Sequence, residues 1–375
     1  MIEYICDQCD ATYRIDTLRY KCGCGQPLQL KKTEVGFSTD RVSVTDSTLW
    51  RYRQALPIAD DTSIISLGEG MTPLVSSDNG THDHRLKLDF VCPTGSYKDR
   101  GAAVLLSKVK ELGVQEVVED SSGNAGAAIA AYSAKAGIDC TIYCPLSTSK
   151  GKLAQISMYG AKLKLIEGNR AATTQAVLEA AETTYYASHN WNPFFLEGTK
   201  TIAFEIAEQL GWRAPDHVIC PIGFGSVYMG LHIGFGELHG QGIIAKIPRL
   251  LGVQSAACCP VYRAYAENRS QVERSPQTYE TLAEGITSEA PIRGDTIMKA
   301  LCETNGAITI VDEGEIEVGI KALASKGIYV EPTSAVIVKA FDKFVESGII
   351  RAGDITVSIL TGSGLKATDK LMKIA

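Results

Sequence analysis

The chain has 375 residues, of which 45% are hydrophobic, 7% aromatic and 21% charged, close to globular averages and unlike disordered, collagen-like or mucin-like chains. Lys+Arg of 37 against Asp+Glu of 43 leaves a net charge of −6, which disfavours a nucleic-acid backbone or an anionic membrane as partner. No apolar run reaches the ~18 residues of a membrane span, and Met1-Ile2-Glu3-Tyr4 lacks the layout of a signal peptide, so a soluble, cytoplasmic chain of two or three domains is expected. In chain order, the first feature is a cysteine cluster. Cys6-x-x-Cys9 and Cys22-x-Cys24 are two closely spaced thiol pairs that can close a tetrahedral metal site, with zinc the expected ion. The alternative is a ribbon held by packing, with free thiols. Either way a segment of about thirty residues buries too little to fold alone, and four ligands leave no open position for chemistry. The other seven of the 11 cysteines are dispersed, which argues for reduced thiols rather than a disulfide framework. Cys92, Cys258 and Cys259 read as small buried hydrophobes, and His82 and His84 as part of a polar turn before a strand.

From about Leu86 onward strand and helix alternate. Ala102, Leu105, Leu106 and Val109 recur at helical spacing, and Gly113 ends that helix. There follow a strand at Val114–Val118, a helix at Ala125–Ala136 stopped by Gly137, and a strand at Ile138–Cys144 closed by Pro145. Next come a helix at Gly151–Tyr159, a strand at Ala161–Ile166 and a helix at Ala171–Thr183. The rhythm resumes with a helix at Thr199–Leu210 and strands at His217–Cys220, Leu250–Gln254 and Ala307–Val311. Helices at Glu315–Ser325 and Ser334–Glu346 precede a last strand at Asp354–Leu360. Asn268–Thr278 reads as an exposed loop. This alternation predicts an α/β chain with open, mainly parallel sheets covered by helices on both faces.

Three glycine-rich turns sit at strand ends, where open α/β sheets place ligands. They are Asp120-Ser121-Ser122-Gly123-Asn124-Ala125-Gly126, Pro221-Ile222-Gly223-Phe224-Gly225-Ser226 and Leu360-Thr361-Gly362-Ser363-Gly364. The first two open helices and can cradle a carboxylate or phosphate on free N–H groups, although glycine turns also serve tight packing alone. None matches the dinucleotide fingerprint or the P-loop, so a compact ligand with one phosphate and one carboxylate end is expected, rather than NAD or ATP. In Pro93-Thr94-Gly95-Ser96-Tyr97-Lys98-Asp99-Arg100-Gly101, Lys98 is either a Schiff-base nucleophile entering a cleft or a solvated lysine paired with Asp99. Trp191 and Tyr97 flank the expected site or pack the core.

Together these stretches resemble the tryptophan-synthase-β-type (fold type II) pyridoxal phosphate enzymes, and within them the threonine synthase-like branch. Leu67-Gly68-Glu69-Gly70-Met71-Thr72-Pro73-Leu74 resembles the LGEGxTPL segment of that branch, Asn192-Pro193-Phe194-Phe195-Leu196-Glu197-Gly198 its NPxRLEG, and the cysteine ribbon one that many members carry. The resemblance implies a ribbon at 1–30 and a catalytic region at 31–375. Within that region it implies a small mobile domain at about 101–184 that hinges over the cofactor, and a large domain at about 31–100 and 185–375. It implies pyridoxal phosphate held by Lys98 as an internal aldimine, with Asn124 on the cofactor's 3-hydroxyl oxygen. Ser121, Ser122 and Gly123 would take the substrate carboxylate, Gly223, Phe224, Gly225 and Ser226 the cofactor phosphate, and Thr361 the ring nitrogen. A neutral partner there suits elimination and replacement over transamination. It also implies a homodimer.

Where threonine synthases bind the phosphate of O-phosphohomoserine, their motifs place a Thr, an Arg and an Asn; this chain has Ala125, Phe195 and Phe224. Each change removes a donor, and Lys152, Lys162 and Lys200 are the cations that could stand in. Thr281-Leu282-Ala283-Glu284-Gly285-Ile286 is similar to the corresponding stretch of serine/threonine dehydratases. The expectation is a carbon–oxygen lyase or replacement enzyme acting at the β or γ carbon of an amino acid other than O-phosphohomoserine. A genuine threonine synthase, a dehydratase-type lyase and a non-catalytic binding module on the same fold are the alternatives.

Overall fold

The computed structural model describes residues 2–15, 18–31, 36–77, 80–148, 150–168 and 170–374, without the side chains at 150 and 152. The strands are β1 (Glu3–Ile5), β2 (Thr12–Arg14), β3 (Gln29–Lys31), β4 (Leu74–Ser76), β5 (Asp83–Lys87), β6 (Glu116–Glu119), β7 (Asp139–Pro145), β8 (Lys162–Ile166), β9 (Tyr185–Tyr186), β10 (His217–Pro221), β11 (Arg249–Ser255), β12 (Ala307–Val311) and β13 (Ile355–Ile359). Two compact units form: residues 1–70, 92–94 and 98–199, and residues 71–91, 95–97 and 200–375.

The first unit carries an antiparallel ribbon, β2-β1-β3, and a wholly parallel sheet in the order β8-β7-β6-β9. The inner strand β6 is buried after its first residue, and the edge strand β8 keeps Leu165 exposed. The helix Lys98–Glu111 packs against Asn124–Ala136 and Pro193–Thr199. Asn192 explains the last of these, because its Oδ1 accepts the Phe194 N–H at 3.0 Å just ahead of Pro193. That start signal lies upstream of the expected Thr199–Leu210 helix, which is realised as Thr201–Gln209; Pro193–Thr199 is an additional helix before it. The stretch at about 101–184 lies within this unit, which also takes in the N-terminal residues. Tyr4, Cys6, Cys22 and Leu28 share one core with Leu105, Ile129 and Phe194, and the Tyr4 ring meets Phe194 edge-on at 6.0 Å. The ribbon therefore completes a core rather than hanging from it.

The second unit holds a six-stranded sheet in the order β12-β11-β10-β13-β5-β4, parallel except for the β4–β5 pair. All five residues of β10 are buried, as expected of a strand covered on both faces. His84 belongs to β5 rather than to a turn: its ring stacks on Phe341 at 3.9 Å and its Nε2 meets Ser358 Oγ at 2.8 Å. The expected helix from Glu315 starts two residues earlier because Asp312 and Glu315 form a capping box. Asn268–Thr278 contains neither helix nor strand. No described helix is long and apolar enough to cross a membrane.

Candidate active site

In the first unit Lys98 opens its helix, half-exposed, on a turn braced by Asp99. The buried Asp99 carboxylate accepts the Thr94 N–H at 2.6 Å and the Thr94 hydroxyl, so it holds the turn. Lys98 Nζ lies 5.6 Å from the centre of the Phe195 ring, a cation–π arrangement worth about 0.5–1 kcal/mol for a charged amine. Phe195 is fully buried, and a Cβ on Gly101 would overlap its ring. Only glycine at 101 leaves room for an aromatic there.

The loop after β6 is clamped by Asp120. Its carboxylate accepts from Tyr186 Oη at 2.7 Å, Arg170 Nη2 at 2.8 Å and Thr174 Oγ1 at 3.2 Å, while Arg170 also reaches its carbonyl. Gly123 N–H then donates to Ser121 Oγ at 3.3 Å, and Asn124 begins the next helix. Ser121, Ser122 and Asn124 are partly exposed beside the amides of a thirteen-residue helix N-terminus, and Ala125 is buried. Behind this loop His189 Nδ1 and Glu119 Oε1 meet at 2.5 Å, both buried. Burial raises the Glu119 carboxyl well above its usual range, while burial together with Lys98 and Arg170 lowers His189.

In the second unit β10 runs into the turn at 222–225, and Gly225, at φ +89°, ends it where the helix Ser226–Gly240 begins. A non-glycine residue would be strained there and would strike Ile297. A glycine turn opening a helix in this way can accept an anion on its backbone N–H groups. Tyr97 Oη meets Ser226 Oγ at 2.8 Å, and Tyr97 N–H donates to the Thr361 carbonyl at 3.0 Å. The residue preceding Lys98 is thereby fastened to two of the glycine turns. Ser334 Oγ accepts the N–H groups of Thr361 and Gly362, each at 2.9 Å, and lies 3.0 Å from Thr361 Oγ1. Glu331 Oε1 is 3.4 Å from the same hydroxyl. Ser96 Oγ is buried with no hydrogen-bond partner among the described residues. Phe224 is half-buried.

Of the candidate stand-in cations, Lys162 pairs with Asp139 at 3.3 Å and Lys200 with Glu237 at 2.8 Å. The side chain of Lys152 lies outside the described residues. Glu119, His189, Ser334, Glu331 and the Tyr97 hydroxyl went unassigned in the sequence. The one legible signal was a charged residue ending the otherwise apolar Val117-Val118-Glu119. The Cys6, Cys9, Cys22 and Cys24 sulfurs all lie within 4.8 Å of one another. The 6–24, 9–22 and 9–24 separations are 3.6, 3.5 and 3.7 Å. Tyr13 Oη lies 3.2 Å from the Cys22 sulfur.

The family model described as pyridoxal-phosphate dependent enzyme matches residues 65–362. The chain is 36% identical to a threonine synthase of Methanocaldococcus jannaschii, across 98% of this chain and 94% of that one. It is 33% identical to a threonine synthase of Methanosarcina acetivorans, across 96% and 91%. Its fold is similar to the processed form of threonine deaminase isoform 2 from Solanum lycopersicum (TM-score 0.72, 19% identity, 92% and 90% covered) and to maize serine racemase (TM-score 0.68, 21% identity, 80% and 91% covered).

Proposed function

The chain belongs to the pyridoxal-phosphate dependent enzymes, and from that premise we propose that it eliminates or replaces a substituent at the β or γ carbon of an amino acid other than O-phosphohomoserine. Its residues fit the cofactor: a glycine backbone cradle at 222–225 for the phosphate, and the buried Thr361 hydroxyl for the ring nitrogen. The unpartnered Ser96 Oγ lies two residues from the amine that would hold the aldehyde. When bound, the group supplies an electron sink for charge developing at the substrate's α-carbon. Lys98 would hold it and carry protons at Nζ, Asn124 would bond its 3-hydroxyl oxygen, and Ser226 and the 223–225 amides its phosphate. Ser121, Ser122 and Gly123 would orient the substrate carboxylate beside a helix N-terminus.

The observation that carries the substrate reading is Phe195. Where the related motif has a guanidinium, this chain has a buried ring directly beneath Lys98 Nζ. A bidentate arginine on a phosphate is a strong, charge-assisted contact; a phenyl ring offers no donor. Buried Ala125 offers none from its side chain either, and buried Lys200 is paired with Glu237 at 2.8 Å, while Lys162 lies on an exposed pair with Asp139. The dehydratase-like stretch is anchored by Glu313, which accepts from Thr281 Oγ1 at 2.5 Å and Leu282 N–H at 2.8 Å. Incubation with O-phosphohomoserine is expected to release no phosphate above the uncatalysed background. Serine, threonine or an O-acyl serine is expected to yield a 2-oxo acid, ammonia or a replacement product. Stoichiometric phosphate and threonine would overturn the reading. That second outcome, threonine formation, is the one favoured by the names of the relatives at 36% and 33% identity.

We further propose that Cys6, Cys9, Cys22 and Cys24 hold zinc. Tetrahedral thiolates at about 2.3 Å from zinc stand roughly 3.8 Å apart, close to the 3.5–3.7 Å separations observed. Metal analysis is expected to find one zinc per chain, lost in Cys9→Ser. Because Tyr4 and Leu28 share the unit's core, chelation is expected to lower the melting temperature as well as release the ion. A metal-free chain of unchanged stability would count against it.

A further inference from the structure

Lys98, Phe195, His189 and Glu119 form a continuous line inside one unit, and only the first two have a role so far. Glu119 ends β6 with its side chain fully buried, and the His189 side chain is 7% exposed. Oε1 and Nδ1 meet at 2.5 Å, while Glu119 Oε2 meets no hydrogen-bond partner among the described residues. An ionised carboxylate so placed would keep one buried oxygen without a donor from the described residues, a costly state. A neutral carboxyl that donates to Nδ1 lowers the cost, and leaves the imidazole neutral with its own proton on Nε2.

Burial is the dominant influence on both groups. Lys98 from one helix and Arg170 from another also oppose a positive charge on His189; on Glu119 the neighbouring Asp120 charge opposes ionisation, while Arg170, the Asp120 N–H and Lys98 favour it without outweighing burial. The other titratable neighbours are Cys140 and Cys144 on β7 and Tyr186 on β9, which burial keeps in their neutral forms. The His189 ring meets Phe195 at 6.1 Å with an interplanar angle of 69°. Phe195 is held on its other side by the space that only Gly101 leaves open, and it carries Lys98 Nζ at 5.6 Å.

We propose that Glu119 and His189 are positioning residues that share the proton between them and set, through Phe195, the placement of Lys98. The pair is net neutral, with one proton between Oε1 and Nδ1 and a second on Nε2. It rests on the reading of Lys98 as the cofactor-holding residue, yet its first test does not. In 15N-histidine-labelled full-length protein, His189 is expected to be neutral, with the proton on Nε2, and not to titrate between about pH 5.5 and 8.5. An imidazolium at pH 7 overturns the shared-proton arrangement, whatever the cofactor does.

The second test follows the absorbance of bound pyridoxal phosphate against pH, alongside kcat and KM. Glu119→Ala and His189→Leu are expected to shift the midpoint of that titration by about one unit, and to lower kcat on the order of 10- to 100-fold with a smaller change in KM. Glu119→Gln, whose amide can still donate to Nδ1, is expected to recover most of both losses. A merely structural role would move stability and leave the midpoint in place. Unchanged midpoints in Glu119→Ala and His189→Leu, or a Glu119→Gln no better than Glu119→Ala, overturn the proposal. A wild-type chain without cofactor absorbance would sink the functional reading instead, leaving the tautomer result standing.

Discussion

Lys98→Ala is expected to abolish the absorbance of covalently held cofactor and to lower turnover on the order of 10³-fold or more, since on the proposed function one amine would serve both as the attachment point and as the proton carrier. The geometry isolates this effect from folding. Lys98 is half-exposed at the first position of its helix, and the turn before it is held by Asp99 and Thr94, which the substitution leaves in place. Lys98→Arg keeps the charge above Phe195 but cannot form the covalent link, so it is expected to lose the same band. The spectrum of the reconstituted protein and a turnover assay settle both. A band that survives in Lys98→Ala would mean that another lysine holds the cofactor. No band in the wild type would favour the binding-module alternative.

The largest stability effect is expected at Lys87, in the second unit. Its ammonium is wholly buried at 2.7 Å from Glu205, and also donates to the Thr72 carbonyl at 2.7 Å and to Gln209 Oε1 at 2.9 Å. Glu205 in turn accepts the Met71 N–H at 2.8 Å. This pair fastens Met71-Thr72 to the helix Thr201–Gln209. Lys87→Met leaves the carboxylate buried without its cation, which costs about 3–5 kcal/mol, or on the order of 10 °C in melting temperature for a unit of this size. Replacing both partners with apolar residues removes the stranded charge, so Lys87→Met with Glu205→Met is expected to recover most of the loss. Denaturant unfolding of the single and double variants measures it. A single variant within about 1 kcal/mol of wild type would show that water reaches Glu205.

Much of the fold was legible because parallel strands and their helices announce themselves locally. Val117-Val118, Ile219-Cys220 and Val357 read as buried runs, and Gly137 stops its helix with a left-handed residue at φ +69°. Short or non-local features escaped. The two-residue strand β9 exists only because Tyr185 and Tyr186 pair with Val117 and Val118. The helix at Pro193 was masked by a composition that matches the helix after it. The buried Glu69 carboxylate, which accepts from Trp50 Nε1 at 3.2 Å and Tyr132 Oη at 2.6 Å, gives the Leu67–Leu74 motif a bracing function that its residue types alone did not suggest.

By itself the sequence determined the chemistry available: a lysine in a Ser/Gly turn, three glycine turns at strand ends, a thiol quartet, and Ala125, Phe195 and Phe224 where the related motifs carry donors. These are properties of residue type and spacing, and they survive in any fold that puts the turns at strand ends. The tertiary structure alone decided which groups share an environment. Glu119 and His189 are 70 residues apart in the chain, and nothing local distinguishes a carboxyl that will lie on a neutral imidazole from one that will face solvent. Desolvation and the absence of a second donor decide that, and both are set by what the rest of the chain packs around them. The same holds for Phe195: its type excluded a guanidinium, but only the space left by Gly101 put its ring under Lys98.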